Sequence, residues 1–171
     1  MTQFLINLSM QRRYWAILVL VGIALECSAL YYQYVLDEWP CLLCIHVRIL
    51  VFAMILLASI AFFCTRSTLA MRVAHGLNVI IMVGLVERSW QVLAVERGWV
   101  FGNCEMDLGM PEWFALDKWI PSLFEVQTSC GYTPFILFDI TMAEVLLVFS
   151  TLLLIISAAL FFASWNDGSS Y

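Results

Sequence analysis

Composition, four long apolar runs and a single long polar segment predict an all-α membrane protein, a four-transmembrane-helix bundle with one long outer loop. Hydrophobic residues make up 63% of the 171-residue chain and charged residues only 12%. Soluble domains average roughly 45–50% apolar and 25% charged residues. A soluble fold of this length could not bury so much apolar surface. We therefore expect residues 1–171 to form a single integral membrane domain.

The four apolar runs are each long enough to cross a bilayer, because a membrane helix needs about 20 apolar residues. Short links join the first three runs, so consecutive helices are expected to pack antiparallel. The third and fourth runs are separated by a loop of about residues 96–142. The predicted spans are about residues 14–36, 42–63, 73–95 and 143–163.

The basic residues predict the orientation, since short cytoplasmic segments are enriched in Lys and Arg. Arg12 and Arg13 precede the first span, and Arg66 and Arg72 lie in the link between the second and third spans. Both termini are therefore expected in the cytoplasm, and the long loop on the outer side. In bacteria that side is the periplasm, where disulfides persist. The first apolar run is longer than a typical signal-peptide core, so we expect it to remain as an anchor.

The long loop is expected to contain a short interfacial helix. Its sequence from residue 111 to 121 mixes aromatic and charged residues, and Pro111 suits a first helical turn. Aromatic side chains favour the membrane interface. The alternative is an ordinary loop helix that packs on the bundle. The residues expected to touch the membrane are Trp113, Leu116, Trp119 and Ile120.

Four cysteines form the candidate catalytic set. Cys41 and Cys44 form a Cys-x-x-Cys pair at the start of the second span, and Cys104 and Cys130 lie in the long loop. Disulfide exchange needs a thiolate that attacks and a second cysteine that resolves the mixed disulfide. Cys44 falls in the first turn of a helix, where free N–H groups and the helix dipole favour an anion. The pattern predicts two dithiol pairs that exchange electrons.

Arg48 lies four residues after Cys44, on the same helix face. Its guanidinium can stabilise a thiolate there, and a charge near hydrocarbon is itself a sign of function. The alternative is an interfacial arginine that reaches lipid headgroups without a protein partner. Glu26, an acid within the first span, is either functional or a protonated group that hydrogen-bonds between helices.

Other interpretations of the cysteines stay open at this point. Four thiolates could bind zinc, although structural zinc sites usually bring their ligands in two close pairs and Cys104 and Cys130 are far apart in sequence. Two inert structural disulfides are another alternative in an oxidising compartment. A Cys-x-x-Cys bridge closes a very small loop, which suits redox cycling better than stabilisation. No basic stripe indicates a nucleic-acid partner, and we expect no metal.

The chain resembles the DsbB family, the inner-membrane thiol–quinone oxidoreductases that reoxidise the periplasmic disulfide donor DsbA. The resemblance covers most of the chain and depends on a combination of features. These are Pro40-Cys41-x-x-Cys44-Ile45 with Arg48, the later Cys104 and Cys130, the stretch Pro111-Glu112-Trp113 to Asp117-Lys118-Trp119-x-Pro121, and four spans.

The resemblance implies a route for the electrons. A reduced DsbA-like periplasmic thiol oxidant would attack a Cys104–Cys130 disulfide and become linked through Cys104. The released Cys130 would attack Cys41, free Cys44 and send two electrons to ubiquinone or menaquinone in the membrane pool. It also implies that Arg48 contacts the quinone, and that the protein lies in the bacterial inner membrane.

One part of the family pattern is missing. A histidine near the outer end of the third span, associated with quinone handling in the family, has no clear counterpart in Glu87-Arg88-Ser89-Trp90-Gln91. We expect Arg88 or Gln91 to substitute for it. Two alternatives remain: a quinone reductase similar to vitamin K epoxide reductase, and a non-enzymatic membrane scaffold whose disulfides brace its outer loop. The position of Cys104 and Cys130 after the redox pair argues against the first.

Overall fold

A computed structural model describes residues 11–64, 67–100, 109, 115–131, 133, 135–137 and 140–166. Four long helices and two four-residue helices lie within these ranges, together with two short antiparallel strands. The helices are α1 (Arg12–Val35), α2 (Leu42–Phe63), α3 (Thr68–Glu96), α4 (Leu116–Trp119), α5 (Pro121–Phe124) and α6 (Met142–Asn166). The strands are β1 (Phe135–Leu137) and β2 (Ile140–Thr141).

The four long helices confirm the predicted all-α membrane bundle. Helices α1, α2, α3 and α6 are each long and apolar enough to cross a membrane. Helix α2 has the predicted bounds, whereas α3 begins at Thr68, ahead of the predicted residue 73. The Ser67 side chain accepts a hydrogen bond from the backbone N–H of Ala70 at 3.4 Å. This N-cap allows the helix to start before the apolar run does.

Neighbouring helices pack in sequence order, with α1 on α2, α2 on α3 and α3 on α6. Small and flexible side chains such as Ala58, Met54 and Met82 fill the interior, which suits close packing between membrane helices. Large apolar side chains on the outside, including Ile60 and Phe63, are exposed. An outer surface of this kind is expected of a protein that faces lipid.

A buried polar cluster joins three of the long helices. The side-chain amide of Asn78 in α3 donates hydrogen bonds to the Ser157 hydroxyl in α6 at 2.9 Å and to the Tyr14 hydroxyl in α1 at 3.2 Å. Tyr14 and Ser157 also bond to each other at 3.2 Å. Interhelical hydrogen bonds of this kind are worth about 0.6 kcal/mol each on average. The cluster therefore fixes which faces of α1, α3 and α6 meet.

Arg12 and Arg72 lie at the end of the bundle opposite the Cys-x-x-Cys pair. Arg12 stands over the ring of Phe62, close to the end of α2, at 5.9 Å. Arg72, near the start of α3, donates to the Ser164 carbonyl at 3.1 Å and stands over the Trp165 ring at 5.9 Å. Cys41 caps the other end of α2. Which of the two ends faces the cytoplasm stays a prediction.

The long loop is anchored where it leaves α3 and where it enters α6. Arg97 forms an ion pair with Glu144, and the Thr133 hydroxyl donates to the Glu96 carboxylate. Strand β2 runs directly into α6. The sequence did not predict the two strands, because three and two residues are too few to show an alternating pattern.

Gly22 allows close contact between α1 and α2, and its replacement is expected to destabilise the bundle. A Cβ atom at this position would lie 2.4 Å from Cγ1 of Ile55 and 2.9 Å from Cε of Met54. We expect Gly22→Ala to cost about 1–3 kcal/mol, the usual effect of overpacking. The measurement is thermal unfolding of the purified protein in detergent.

Gly84→Ala is the matched control for this prediction. Its added Cβ would make ordinary contacts, at 3.5 and 3.6 Å, with the methyl groups of Leu50. An unchanged melting temperature for Gly22→Ala, or an equal loss in Gly84→Ala, would show that the close approach of α1 and α2 does not depend on Gly22.

Candidate functional site

The Cys41 and Cys44 thiols lie together at the start of α2. Cys41 is the N-cap residue, and its sulfur accepts a hydrogen bond from the backbone N–H of Cys44 at 3.4 Å. The backbone of Cys41 adopts an extended conformation, as an N-cap residue normally does. The two Sγ atoms are 2.8 Å apart, and both cysteines are free thiols. The helix start thus holds the pair in position to form or break a disulfide.

A segment of the long loop brings Cys130 to the same place. The backbone N–H of Gln127 donates to the Pro40 carbonyl at 3.1 Å, and Thr128 pairs with Cys41 in a parallel β-bridge. The thiol of Cys130 hydrogen-bonds to that of Cys41. Three of the four predicted catalytic cysteines therefore form a row, Cys130, Cys41, Cys44. Cys104, the fourth, lies outside the described residues.

The two thiols outside the span both have raised pKa values. The hydrogen bond from Cys130 lowers the pKa of Cys41, but the hydrogen bond to Cys44 and burial outweigh it and raise that pKa to about 12. The hydrogen bond to Cys41, followed by burial, raises the pKa of the Cys130 thiol above its ordinary value. In the fully reduced protein both thiols therefore hold their protons at neutral pH.

Arg48 is buried within the bundle rather than extended towards lipid headgroups. Its side chain is 6% exposed. One guanidinium nitrogen, Nη1, donates to Oε1 of Gln33 at 2.6 Å and to the Leu123 carbonyl at 3.1 Å, and Nη2 donates to the Ala29 carbonyl at 3.1 Å. A snorkelling arginine would not have these three protein partners. Arg48 joins α1, α2 and α5.

Gln33 is a site residue that the sequence analysis did not identify. It is buried near the end of α1, where its amide oxygen accepts from Arg48 and its amide nitrogen donates to Oε1 of Gln127 at 3.3 Å. A single glutamine near the end of an apolar helix carries no signal of this role. Its distance of four residues from Ala29, the other α1 partner of Arg48, places both on one helix face.

A cavity of about 270 Å³ lies beside Cys44 and Arg48. Glu26 also lines it, and its buried Oε1 has no hydrogen-bond partner among the described residues. Most of the other lining groups are apolar, which is typical of a small-molecule site with a few polar groups that orient the ligand. The apolar lining includes Leu25, Ala29, Val47, Val51, Val92, Met142, Ala143 and Leu146.

The other predicted quinone contacts, Arg88 and Gln91, lie together on α3. Nη1 of Arg88 donates to Oε1 of Gln91 at 3.0 Å, and the Gln91 amide donates to the Glu87 carboxylate at 2.8 Å. The lining of the cavity beside Cys44 includes Val92 from α3, but neither Arg88 nor Gln91. Their contact with a quinone stays a prediction.

The predicted membrane-interface residues lie in different surroundings. Trp119 and Ile120 are exposed, at 60% and 40%. Leu116 is partly buried and packs in a cluster with Ile45 and Phe124, so it holds α4 on the bundle. Trp113 lies outside the described residues. Among the residues that are described, no group of three or more His, Cys, Asp or Glu side chains is placed to hold a metal ion.

Comparison with known proteins agrees with this site. Residues 11–160 match the family model described as "Disulfide bond formation protein DsbB". The chain is 30% identical over 154 residues to "Disulfide bond formation protein B 2" of Pseudomonas aeruginosa, which covers 88% of this chain and 91% of that protein. It is 29% identical over 136 residues to "Disulfide bond formation protein B" of Photorhabdus laumondii, covering 77% and 78%.

A further relative has the same description. The "Disulfide bond formation protein B" of Shewanella denitrificans is 28% identical over 141 residues, which cover 82% of this chain and 81% of that protein. The family match covers α1, α2 and α3, most of α6 and both ends of the thiol row. With its four membrane-type helices and its row of thiols, the chain belongs to the DsbB family of membrane oxidoreductases that act in disulfide bond formation.

Proposed function

We propose that this protein reoxidises a reduced DsbA-like periplasmic protein and passes the two electrons to a membrane quinone. The main support is the row of thiols. Cys130 contacts Cys41, Cys41 lies 2.8 Å from Cys44, and Cys44 lines a cavity together with Arg48. This order matches the sequence of exchange steps that such a relay requires.

The proposed relay consists of balanced thiol–disulfide exchanges. A thiolate of the reduced partner attacks Cys104 of the Cys104–Cys130 disulfide, forms a mixed disulfide and releases Cys130. The second thiol of the partner then attacks the partner's first cysteine, which is bonded to Cys104 in the mixed disulfide. This step forms the partner's disulfide and releases Cys104 in reduced form. Cys130 attacks Cys41 of the Cys41–Cys44 disulfide, so a Cys130–Cys41 bond forms and Cys44 leaves as a thiolate. Attack by Cys104 on Cys130 restores the outer disulfide and leaves Cys41 reduced beside Cys44.

The hydrogen bonds of the row help to set the direction of exchange. The contact with the Cys41 thiol is the largest cause of the raised pKa of Cys130. The pKa is raised because the Cys130 thiol donates to the Cys41 sulfur. When Cys41 is part of a disulfide it cannot become a thiolate, the form to which Cys130 donates best, so this cause is removed. Cys130 is then a better nucleophile when its target is oxidised, because the thiolate is the attacking form. The leaving sulfur, Cys44, lies in the first turn of α2, where an anion is favoured.

We propose that the cavity beside Cys44 holds the ring of ubiquinone or menaquinone. Small-molecule sites are mainly apolar with a few polar groups, and this one combines apolar walls with Arg48, Glu26 and Cys44. Arg48 is the residue placed to hold a ring oxygen, and Cys44 the one placed to face the ring. A bound quinone supplies the acceptor for two electrons and two protons, and the reduced Cys41–Cys44 pair supplies the electrons.

A quinone is a suitable acceptor on thermodynamic grounds. DsbA has a reduction potential of about −120 mV, far above the glutathione pool, so only a more oxidising acceptor can restore its disulfide. For a two-electron couple, 30 mV corresponds to about 1.4 kcal/mol. A strongly oxidising quinone can therefore offset an uphill exchange between the two protein disulfides.

We place the protein in the bacterial inner membrane with both termini in the cytoplasm. The thiol row then faces the periplasm, opposite the basic end formed by Arg12 and Arg72. Trp119 and Ile120 are exposed. We propose that they touch the periplasmic surface of the inner membrane, with Trp113 and Leu116 nearby in sequence. Trp is enriched at such interfaces.

The proposal is tested by mixing the purified protein with a reduced DsbA-like protein and a short-chain ubiquinone. Loss of partner thiols and the change in quinone absorbance are followed together. We expect turnover with wild type and none above background with Cys104→Ser, because the partner then has no disulfide to attack. Cys27→Ser is the control, since Cys27 is an exposed thiol on α1 away from the row.

A wild-type protein that neither oxidises the partner nor reduces quinone would contradict the proposal. If the cysteine variants then also lowered the melting temperature, the result would support the structural scaffold instead. Turnover that survives in Cys104→Ser would show that electrons enter without the outer cysteine pair.

A further inference from the structure

We infer that the side chains of Gln33 and Gln127 form a latch that holds Cys130 against Cys41, which makes Gln127 a positioning residue for thiol exchange. The inference rests on the proposed function for its biological meaning. It concerns one step of the relay, the reach of Cys130 to Cys41, and assigns that step to a pair of amide side chains on α1 and on the loop.

The inner half of the latch is Gln33. Its side chain is 6% exposed, and its amide has one partner on each side. The oxygen accepts from Arg48 at 2.6 Å, and the nitrogen donates to Oε1 of Gln127 at 3.3 Å. The hydrogen bond to charged Arg48 fixes the orientation of the amide, because only its oxygen can accept from a guanidinium. Gln33 therefore presents its NH₂ group to the loop.

The outer half of the latch is Gln127, which is held through both its backbone and its side chain. Its backbone N–H donates to the Pro40 carbonyl at 3.1 Å, directly before Cys41. The next residue, Thr128, pairs with Cys41, and Cys130 then contacts the Cys41 thiol. Only two residues separate Gln127 from Cys130, so the latch sets the position of the thiol.

A weak latch suits the exchange reaction. In the proposed relay Cys130 must bond alternately with Cys104 and with Cys41, so a permanent attachment to α1 would block one of the two positions. A neutral hydrogen bond changes an equilibrium by about fivefold. That is enough to favour the position beside Cys41 while still allowing release. The connection through Gln33 also links the loop to Arg48, which lines the cavity.

The test measures how readily Cys130 and Cys41 join, without quinone and without a partner protein. In a full-length background carrying Cys27→Ser, Cys44→Ser, Cys64→Ser and Cys104→Ser, only these two cysteines remain. In a glutathione buffer each Cys41–Cys130 disulfide that forms reduces one oxidised glutathione to two reduced molecules. The equilibrium yield, read by mass spectrometry, gives the effective concentration of the two thiols.

We expect Gln127→Leu to lower this effective concentration about fivefold. Gln127→Glu should retain most of it, because a carboxylate oxygen accepts the same hydrogen bond from Gln33. Gln11→Leu makes the same change at an exposed glutamine before α1, and it should have no effect. Melting temperatures of all three variants test whether the fold is retained.

Three results would overturn the latch. They are an unchanged yield in Gln127→Leu, an equal loss in Gln11→Leu, and a loss in Gln127→Glu as large as in Gln127→Leu. The outcome is separate from that of the proposed function, since the assay contains neither quinone nor DsbA-like protein. Normal quinone turnover in wild type together with an unchanged disulfide yield in Gln127→Leu would support the relay and contradict the latch alone.

Discussion

Replacing Cys44 with serine is expected to abolish quinone reduction, with a loss of about 10³-fold or more. Cys44 is the thiol of the row that lines the cavity, and it lies in the first turn of α2. A serine hydroxyl can neither form the disulfide with Cys41 nor serve as the reduced sulfur beside the quinone. The variant should keep its fold, because the substitution replaces only the sulfur atom with oxygen and many other contacts hold α2 in place.

The measurement is the initial rate of quinone absorbance change with the reduced DsbA-like protein as donor. Cys64→Ser is the matched control, since Cys64 is the exposed C-cap residue at the other end of the same helix. Its rate should equal that of wild type. Substantial turnover in Cys44→Ser would mean that electrons leave the protein from a different sulfur.

The second large effect is expected from Arg48→Met, which removes the buried guanidinium but keeps an unbranched side chain. A hydrogen bond to a charged group contributes about 1.5–3 kcal/mol, so loss of the contact with a quinone oxygen should raise the quinone KM about ten- to hundredfold. Gln33 and the Leu123 carbonyl would also lose their donor. We therefore expect some loss of thermal stability as well.

Arg48→Lys separates charge from geometry. Lysine restores the positive charge but not the two nitrogens that bind Ala29 and Gln33 at the same time. Its quinone KM should fall between those of wild type and Arg48→Met, and Arg13→Met, at an exposed position in α1, should match wild type. An unchanged KM in Arg48→Met would show that Arg48 serves only to join α1, α2 and the loop.

The bundle and the redox pair could be predicted because their signals are local. Apolar runs of membrane length predict the four long helices, and the Cys-x-x-Cys pair lies in a single helical turn. The position of Arg48 four residues after Cys44 also predicts its helix face. Its partners could not be predicted, since they belong to other elements: Ala29 and Gln33 lie on α1, and Leu123 on α5.

The contacts that complete the site are between residues far apart in sequence. Gln33 and Gln127 are 94 positions apart, and neither differs in type from a surface glutamine. The cysteine pattern predicted exchange between the two pairs, but the specific contact of Cys130 with Cys41 came only from the family resemblance. The fold brings Cys130 there through the Thr128 bridge to Cys41. Long-range side-chain pairs of this kind carry no periodicity for a single sequence to reveal.

The central proposal is that two electrons from one partner dithiol arrive on one quinone. The most direct test counts both products in the wild-type reaction under anaerobic conditions, with partner disulfide measured by thiol titration and quinol by absorbance. The account predicts one quinol for each partner disulfide over many turnovers. When quinone is omitted, each protein should oxidise no more than two partner molecules, one for each of its two disulfides. Catalytic oxidation of the partner without quinol formation, or no oxidation at all, would contradict it.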